Sequence, residues 1–389
     1  MTETLRIAMI GHGFMGAAHS QGWRVAPRFF ELPATPIMQV VVGRRAEPAA
    51  TAARTWGWAE SATDWREVVA RPDIDVVDIV TPGDSHAEIA IAALEAGKHV
   101  LCEKPLANTV AEARAMAVAA ERASESGIRS MVGFTYRRVP AAMFARDLIA
   151  QGRLGAIRQV RAEYLQDWLA DPESPMTWRL DKTLAGSGAL GDIGAHAIDL
   201  AEFMTGEHIE KVSGIIETLV SDRPMLAESV GLSGTASATR GTVTVDDLAL
   251  FTGRLSSGAL ASFEASRMRT GRKNALRIEI SGTRGALAFD LERLNELEFY
   301  DATVPETELG FRRILVTEPG HPYVGRWWPT GHMLGYEHGF SHQVDDFITA
   351  IEAGVQPRPS FADGLHVQQV LDAVERSSAA GSAWLSPSD

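Results

Sequence analysis

Short apolar runs alternate with helix-forming segments over the first third of the chain. The apolar runs predict five strands, at residues 5–10, 38–42, 74–80, 98–102 and 128–134. The segments between them are Ala-rich or amphipathic and favour helices, which span the residues after Gly16 to about residue 25, and residues 46–55, 86–95 and 110–125. Strands that alternate with helices pair in parallel, so this part of the chain predicts a doubly wound parallel sheet.

The pattern changes after a predicted helix at residues 141–151. Runs of β-forming residues predict six further strands, at residues 157–164, 211–220, 242–254, 259–267, 275–281 and 286–290. Gly-containing turns at residues 256–258 and 282–285 join neighbouring runs as hairpins, which indicates antiparallel pairing. Helices are predicted at residues 190–204, 337–353 and 361–378. We therefore predict an α/β domain over residues 1–138 and an α+β domain over residues 139–389.

Composition narrows the class of protein. A length of 389 residues suits two domains, and 45% hydrophobic with 22% charged residues indicates a folded, water-soluble chain. The formal net charge of −13 disfavours nucleic acid and anionic membranes as partners. Cys102 is the one cysteine, which excludes an internal disulfide and a Cys-rich metal site. With no apolar run of membrane-spanning length and no signal-peptide pattern, we expect a cytoplasmic protein.

A glycine pattern, Gly11-x-Gly13-x-x-Gly16, follows the first predicted strand and opens the first helix. Gly11 allows a tight turn, Gly13 lets the backbone approach a pyrophosphate, and Gly16 permits close packing of helix on strand. The helix N-terminus attracts the phosphates. The pattern predicts a nicotinamide dinucleotide site, with a turn that binds no ligand as the alternative. The predicted cofactor contacts are Gly11, Gly13, Phe14, Met15, Gly16, Arg44, Arg45, Thr81, Pro82, His86, Glu103 and Lys104.

The end of the second strand bears on the choice between NAD and NADP. NAD sites usually place a carboxylate there to bind the ribose 2′-hydroxyl, but here Val42 is followed by Gly43, Arg44 and Arg45. Arg44, with Arg45 behind it, is suited to pair with a 2′-phosphate or to stack on adenine. The residues favour NADP and leave NAD open, because the same arginine can stack on NAD or be a solvated surface charge.

A lysine follows the fourth predicted strand, in the sequence Cys102-Glu103-Lys104-Pro105. The carboxyl ends of the strands in a doubly wound sheet face the ligand crevice. Lys104 is therefore predicted to bind a substrate oxygen and to stabilise negative charge that develops on it, while Pro105 fixes the turn. The alternative is an ordinary surface lysine at a strand end.

Three polar residues of the predicted helix at 190–204 share one face: Asp192, His196 and Asp199. With an intrinsic pKa of ~6.5, His196 is able to take the proton of an alcohol as hydride leaves, and Asp192 either orients the imidazole or contacts the substrate. The alternative is that Asp192 caps the helix and His196 packs in the core. No metal is predicted, because one histidine and two carboxylates on one helix lack a further ligand set.

Together, the glycine turn, the Glu103-Lys104-Pro105 step and the Asp192/His196 helix resemble the Gfo/Idh/MocA family of sugar and polyol oxidoreductases over nearly the whole chain. The resemblance implies an N-terminal Rossmann domain and a C-terminal α+β domain with a large open sheet for substrate binding and oligomerisation. It also implies that Lys104, Asp192 and His196 are catalytic. The segments that resemble anhydrosugar-oxidising members are residues 164–168, 178–179, 185–192 and 360–364. NAD-using members carry an acidic residue near Gly43, so their cofactor preference does not carry over.

A polyhydroxylated substrate is bound by aromatic faces and by amides or charges. The predicted substrate-binding residues are Tyr136, Arg137, Gln166, Asp167, Trp168, Arg179, Asp192 and His196. Trp327 and Trp328 are a further candidate wall, with packing or an interface as the alternative. His338 and His342 stand at helical spacing and are expected on a helix surface or an interface. The open sheet face needs a cover, which predicts a homodimer or homotetramer.

These features predict an NAD(P)-dependent enzyme that reversibly oxidises a ring hydroxyl of a sugar, anhydrosugar, glycoside or cyclitol to a ketone. Two alternatives use the same parts. In one, transient oxidation acidifies the neighbouring carbon, a glycosidic leaving group departs, and the cofactor is recycled. In the other, the protein is a nucleotide-sensing regulator without catalysis, against which the combination of Lys104, Asp192 and His196 argues.

Overall fold

A computed structural model describes residues 3–230 and 233–388, which form two compact units. The first unit runs through Thr135 and also includes Tyr336–Gln368; the second comprises Tyr136–Gly335 and the chain from Gln369 onward. The predicted domain boundary at residue 138 falls close to the first of these divisions. The return of residues 336–368 to the first unit has no counterpart in the prediction.

The first unit contains a six-stranded parallel sheet, so the doubly wound architecture is confirmed. Its strand order is β3-β2-β1-β4-β5-β6. The strands are β1 (Glu3–Ile10), β2 (Ala34–Val42), β3 (Glu60–Ala62), β4 (Val76–Ile79), β5 (His99–Cys102) and β6 (Ser130–Val132). The prediction missed β3, because three residues with a polar Glu-Ser start carry no apolar run. Every residue of β4 is buried, as expected for a central strand of a two-sided sheet.

Six helices accompany this sheet, and one of them comes from late in the sequence. They are α1 (Phe14–Phe29), α2 (Ala46–Trp56), α3 (Trp65–Val69), α4 (His86–Glu95), α5 (Val110–Glu125) and α9 (His338–Glu352). Helix α9 packs on α1. The approach is close at Gly22, where a Cβ would lie 2.9 Å from the carbonyl oxygen of Phe340. This packing explains why residues 336–368 belong to the first unit.

A large, mostly antiparallel sheet organises the second unit, which confirms the predicted α+β class. Eight strands have the order β16-β15-β14-β13-β7-β12-β11-β8, and β9 and β10 form a separate pair. Only the β7–β12 pairing among the described strands of this sheet is parallel. The strands are β7 (Ile157–Leu165), β8 (Ile209–Glu217), β9 (Asp222–Val230), β10 (Ser233–Thr242), β11 (Leu248–Leu255), β12 (Leu260–Ser266), β13 (Ala275–Gly282), β14 (Gly285–Asp290), β15 (Glu296–Asp301) and β16 (Arg312–Leu315).

Helices accompany this sheet. They are α6 (Pro140–Ala150), α7 (Lys182–Ala185) and α8 (Ala195–Thr205), with a π-helical turn at Leu190–Gly194 before α8; α10 (Phe361–Ala379) begins in the first unit and ends in the second. Helix α8 packs on β7, β12 and β13, and α6 packs on β14 and β15. No helix in residues 3–230 and 233–388 combines the length and apolarity needed to cross a membrane.

The structure corrects the prediction at two elements near the candidate site. The predicted strand at residues 242–254 starts later than predicted: β10 ends at Thr242 and β11 begins only at Leu248. Between them, the buried carboxylates of Asp246 and Asp247 accept hydrogen bonds from backbone amides, which turns the chain away from an extended course. The predicted helix at residues 190–204 begins as the π-helical turn. Its wider coil changes the angles at which Asp192 and His196 leave the backbone.

Candidate active site

The glycine turn has the features that a dinucleotide diphosphate requires. Gly11 has a φ of +111°, and a Cβ there would lie 2.9 Å from the carbonyl oxygen of Val80. A Cβ on Gly13 would meet nothing within 4 Å, so the backbone is open to a ligand. Gly13 is the N-cap of α1, has no side-chain cap, and is followed by a first turn without acidic residues. The helix N-terminus therefore fits an anionic group.

The remaining residues of the turn divide between packing and exposure. A Cβ on Gly16 would lie 3.1 Å from the carbonyl oxygen of Gly11, which makes this position tight. Phe14 is 52% exposed and its ring stacks on that of Tyr336 at 6.3 Å, while Met15 is half-buried. Tyr336 lies far along the sequence and was missed in the prediction.

Arg44 and Arg45, which follow β2, are both exposed and thus accessible to a dinucleotide. Arg44 forms no ion pair within the described part of the chain, and Arg45 is the N-cap of α2. A Cβ on Gly43 would lie 2.1 Å from the ring of His12, so this ring lies at the end of β2. His12 was missed although it stands between Gly11 and Gly13, because the glycine pattern leaves that position open.

His86 is buried and connects two loops at the carboxyl edge of the sheet. Its ring nitrogens lie 2.9 Å from the carbonyl oxygen of Thr81 and 3.0 Å from that of Pro105. Both nitrogens therefore face the backbone, and this contact differs from the predicted one to the cofactor. Thr81 accepts a hydrogen bond from Ser85, and Pro82 is exposed.

Lys104 follows β5 after one residue, Glu103; it is half-buried, and its peptide bond to Pro105 is cis. Glu103 is only 4% exposed. Its Oε2 accepts the backbone amide of Lys104 at 3.2 Å, and its Oε1 lies 3.0 Å from Nε2 of His19. The Glu103 carboxylate thus faces buried protein groups, whereas the prediction placed it against the cofactor.

His19 is the centre of a buried charged cluster that was missed in the sequence. Its Nδ1 lies 2.9 Å from both carboxylate oxygens of Asp78, and the indole N–H of Trp23 donates to Asp78 at 2.7 Å. Burial lowers the pKa of His19, but the Asp78 and Glu103 carboxylates and their hydrogen bonds outweigh burial and raise it to about 10. The ring is therefore an imidazolium at neutral pH.

In the second unit, Asp192 lies in the π-helical turn and His196 in the first turn of α8. The side chain of Asp246 accepts the amides of Gly188 and Leu190 at 2.6 and 2.8 Å, which fixes the start of this turn. Burial raises the pKa of Asp246. The fully buried guanidinium of Arg267 lies 3.4 Å from the Asp192 carboxylate.

Two tyrosines surround His196. The ring centroid of Tyr136 lies 4.5 Å from that of His196, and the ring centroid of Tyr164 lies 5.9 Å from it. The two tyrosine hydroxyls are hydrogen-bonded at 2.9 Å. The structure therefore brings together Tyr136 and His196, which were each predicted to bind substrate, and adds Tyr164.

Arg137 and Asp199 pair with each other, a contact that the sequence did not predict. Their nitrogen–oxygen distances are between 2.6 and 3.0 Å, in a bidentate arrangement. The Asp199 carboxylate was predicted to share a face with His196, and Arg137 was predicted to meet the substrate. Their mutual ion pair is mostly buried and joins the start of the second unit to α8.

A chain of polar contacts extends from Tyr164 toward Trp168. The Tyr164 hydroxyl and the Gln166 amide both donate to Oδ1 of Asn274, at 2.8 and 2.7 Å. The indole N–H of Trp168 donates to Oε1 of Gln166 at 2.9 Å. Trp168 also packs on a small apolar cluster that contains Leu169. Asn274 was missed, since nothing near it in the sequence signals a site.

The side chains of Asp167 and Arg179, also predicted to bind substrate, contact other protein groups. Asp167 pairs with Lys273 at 2.7 Å and accepts the Gly271 amide; the hydrogen bond from Lys273 is the main cause that lowers the pKa of Asp167. The guanidinium of Arg179 lies over the Trp178 ring, 4.4 Å from its centroid. Neither residue has a described contact with the Tyr164–Asn274 chain.

The remaining aromatic and histidine candidates contact other side chains of the protein. The rings of Trp327 and Trp328 lie 6.4 Å apart, and Trp328 is 43% exposed. His338 begins α9 beside Glu337. His342 is fully buried and meets Phe30 edge to face at 5.8 Å, so the prediction of a surface position for His342 was wrong.

Comparison with known proteins reveals similarity over the whole chain. The family model described as an oxidoreductase family with an NAD-binding Rossmann fold matches residues 5–133, and that of the GFO/IDH/MocA C-terminal domain matches residues 143–288. Levoglucosan dehydrogenase of Pseudarthrobacter phenanthrenivorans is 43% identical over 388 residues, 98% of each chain.

Solved structures agree with this. A levoglucosan dehydrogenase in complex with NADH and levoglucosan has a TM-score of 0.93 at 42% identity and is covered over 100% of both chains. An oxidoreductase domain protein from Kribbella flavida has a TM-score of 0.94 at 61% identity, over 99% of both chains. The resemblance read from the sequence is confirmed, including its closer tie to an anhydrosugar dehydrogenase.

Proposed function

Since the chain belongs to the Gfo/Idh/MocA family of NAD-binding oxidoreductases, we propose that it is a dehydrogenase that reversibly oxidises a ring hydroxyl of an anhydrosugar or a related sugar to a ketone. The observation that carries this proposal is the group around His196. Two tyrosines stand next to a histidine that can exchange a proton, and hydrogen bonds connect Tyr164 through Asn274 and Gln166 to Trp168. Such a wall suits the C–H faces and hydroxyls of a compact sugar ring.

The residues of the chain divide the work of the oxidation. When bound, the nicotinamide takes up the hydride that the carbinol carbon loses. The ammonium of Lys104 binds the reacting oxygen and stabilises the negative charge that grows on it. A ring nitrogen of His196 accepts the hydroxyl proton and returns it in the reverse direction. Asp192, held by Arg267, binds a substrate hydroxyl or orients the imidazole.

The dinucleotide is held by the glycine turn and the N-terminus of α1, and the proposed cofactor is NAD(H). The NADH in levoglucosan dehydrogenase structures similar to this chain supports NAD. Arg44, which by itself favours NADP, then stacks on the adenine ring. Arg44 is exposed and forms no ion pair among the described residues, which suits both stacking on adenine and binding of a 2′-phosphate.

The decisive experiment follows absorbance of the reduced nicotinamide, with NAD and NADP tested separately. The panel consists of levoglucosan, free aldoses, inositols and glycosides. Accumulation of reduced cofactor with levoglucosan or another sugar supports the dehydrogenase. Sugar cleavage without net reduction overturns it in favour of a glycoside-cleaving enzyme that recycles its cofactor. Tight cofactor binding with no chemistry on any member overturns it in favour of nucleotide sensing.

We also propose that the outer face of the eight-stranded sheet is covered by a second copy of the chain. Ile215, Leu250 and Leu260 are between 44% and 50% exposed on β8, β11 and β12. Leu250 stands directly opposite Ile215. Three apolar side chains on one exposed sheet face favour burial in a homodimer or homotetramer. Light scattering after gel filtration tests this: a monomer contradicts it, and Leu250→Glu is expected to lower the mass of the oligomer.

A further inference from the structure

We propose that His19 is a positioning residue for Lys104: its ring bridges Asp78 to Glu103, and Glu103 holds the backbone amide of Lys104. The inference rests on the proposed function, in which Lys104 binds the reacting oxygen. It also gives Glu103 a role different from the cofactor contact that the sequence suggests. His19 itself touches neither substrate nor reacting atoms in this proposal.

The contacts form one continuous path through the first unit. Asp78 lies on β4, His19 on α1, and Glu103 between β5 and Lys104. The successive distances are 2.9 Å from Asp78 to His19, 3.0 Å from His19 to Glu103 and 3.2 Å from Glu103 to the Lys104 amide. The path therefore ties the residue proposed to bind oxygen to the central strand of the sheet.

Close packing leaves this path little freedom. The side chains of Asp78 and His19 are at most 1% exposed, and that of Glu103 is 5% exposed. A Cβ on Gly133 would lie 2.5 Å from Oε1 of Glu103, so the carboxylate fills the space above that glycine. The ring of Phe340, from α9, lies 5.4 Å from the His19 ring. Oε1 of Glu103 is thus enclosed by the His19 ring and the backbone at Gly133.

Charge explains why a histidine stands at the centre. Asp78 and Glu103 are the charged groups that act on His19, and two buried carboxylates without a cation between them repel each other and lose solvation. Without the imidazolium, Glu103 must take up a proton or turn away, and in either case its hold on the Lys104 amide changes. Small displacements of a group that contacts the reacting atoms cost large factors in rate.

Four single variants and the double variant His19→Gln/Glu103→Ala test the proposal. His19→Gln removes the bridge, and Glu103→Ala removes the acceptor for Lys104. Glu103→Gln keeps an amide oxygen for the Lys104 amide and an N–H group for a neutral His19 ring. His99→Gln is the matched control, because His99 is a mostly buried histidine at the other end of β5, where it accepts the Arg129 amide at 2.9 Å.

Two measurements are made on each purified full-length variant. The first is kcat and KM with the sugar at saturating dinucleotide. The second needs no substrate: it is the rate at which trinitrobenzenesulfonate modifies the Lys104 side chain, followed by peptide mass spectrometry. The reference is the rate at Lys273, whose side chain is 79% exposed. The second readout is independent of turnover. If the protein is inactive on every sugar, the proposed function is wrong, but the labelling rates still show whether His19 positions Lys104.

We expect kcat to fall ~10-fold or more in His19→Gln and in Glu103→Ala, with Glu103→Gln retaining at least ~5-fold more activity than Glu103→Ala. The double variant is expected to be no slower than Glu103→Ala alone. Lys104 labelling is expected to change at least ~3-fold in the first two variants and to match wild type in His99→Gln. Unchanged labelling and kcat in His19→Gln, or additive losses in the double variant, would overturn the proposal. If His19→Gln does not fold, the Glu103→Gln and Glu103→Ala comparison decides.

Discussion

Arg267 and Asp192 form an ion pair in which the guanidinium is completely buried and lies 3.4 Å from the carboxylate. Arg267 also donates to the carbonyl oxygen of Asp246 at 3.2 Å, so it links Asp192 to the residue that fixes the π-helical turn. A lysine keeps the charge but lacks the planar fork. We expect Arg267→Lys to lower kcat/KM for the sugar by ~10-fold or more, while the dissociation constant of the dinucleotide stays within ~2-fold.

Steady-state kinetics and fluorescence titration with the dinucleotide measure the two quantities. The matched control is Arg269→Lys, two residues along, where the guanidinium is exposed and pairs with Glu264 at 3.3 Å. Surface pairs of this kind contribute little. Equal kcat/KM values for the two variants would show that Arg267 does not act through Asp192.

Lys104 and His196 are expected to control turnover and not cofactor binding. Their replacement by alanine removes the group proposed to stabilise the oxygen charge and the group proposed to move the proton. We expect turnover to fall by ~10² or more in each variant, with nearly unchanged dinucleotide affinity. Presteady-state and steady-state kinetics measure the loss. Wild-type rates in both variants would rule out the assigned roles.

The buried cluster at His19 predicts that its contribution to the stability of the fold is lost as the pH becomes alkaline. The pKa of His19 is raised from 6.5 to about 10 in the folded protein, so its contribution to stability is fully present below pH 6.5 and is lost as pH rises toward 10. We therefore expect the stability difference between wild type and His19→Gln to shrink from pH 6.5 to pH 10. Urea unfolding at pH 6, 8 and 10 measures this difference.

For His99, the stability contribution is expected to depend on pH in the opposite direction from that of His19. Burial, with the nearby Arg129 charge, lowers its pKa from 6.5 to about 4 in the folded state. Its neutral form is thus favoured by folding, and the stability it contributes is lost as pH falls from 6.5 toward 4. A His19→Gln variant whose stability difference from wild type is constant across pH 6–10 contradicts a charged His19 in the folded protein.

Arg44 allows the cofactor assignment to be tested directly. If Arg44 stacks on adenine, Arg44→Ala weakens NAD and NADP by the same factor, of about 3 to 10. If it binds a 2′-phosphate, the variant loses ~10-fold or more of its NADP affinity and keeps that for NAD. Our proposal of NAD(H) predicts the first result, by isothermal titration with both dinucleotides. Arg54→Ala, an exposed arginine on α2 paired with Glu47, serves as the control.

Local signals were enough to predict much of the first unit. The observed bounds of α4 and α5 are those read from the sequence, and α5 begins at a capping box formed by Thr109 and Glu112. The glycine turn and the strand before it depend on consecutive residues as well. Elements of this kind carry their own signal in composition, periodicity and caps.

Contacts between distant parts of the sequence carried no such signal. His19 and Glu103 are 84 residues apart, and Arg137 and Asp199 are 62 apart. The π-helical turn depends on Asp246, far from it along the chain, so periodicity alone predicted an ordinary helix there. The sequence therefore identified the types of group in the site. It did not indicate that Arg137 pairs with Asp199, that Glu103 contacts His19, or that His86 faces two backbone carbonyls.

The contacts of Asn274, which also join distant parts of the sequence, lead to a further prediction. Its side-chain oxygen accepts hydrogen bonds from Tyr164 and Gln166, so Asn274→Ala leaves both donors without their acceptor and lets the proposed sugar wall relax. We expect KM for the sugar to rise ~10-fold with kcat changed less than ~3-fold, because the wall binds the ring and does not move the proton. Asn274→Asp, which keeps an acceptor for both donors, is expected to recover most of the affinity. Asn295→Ala is the control, since the side chain of Asn295 hydrogen-bonds only the backbone of Leu334 among the described contacts. Equal KM values in Asn274→Ala, Asn295→Ala and wild type would mean that the Tyr164–Gln166 wall does not meet the substrate, and the anhydrosugar proposal would then lose its structural support in the second unit.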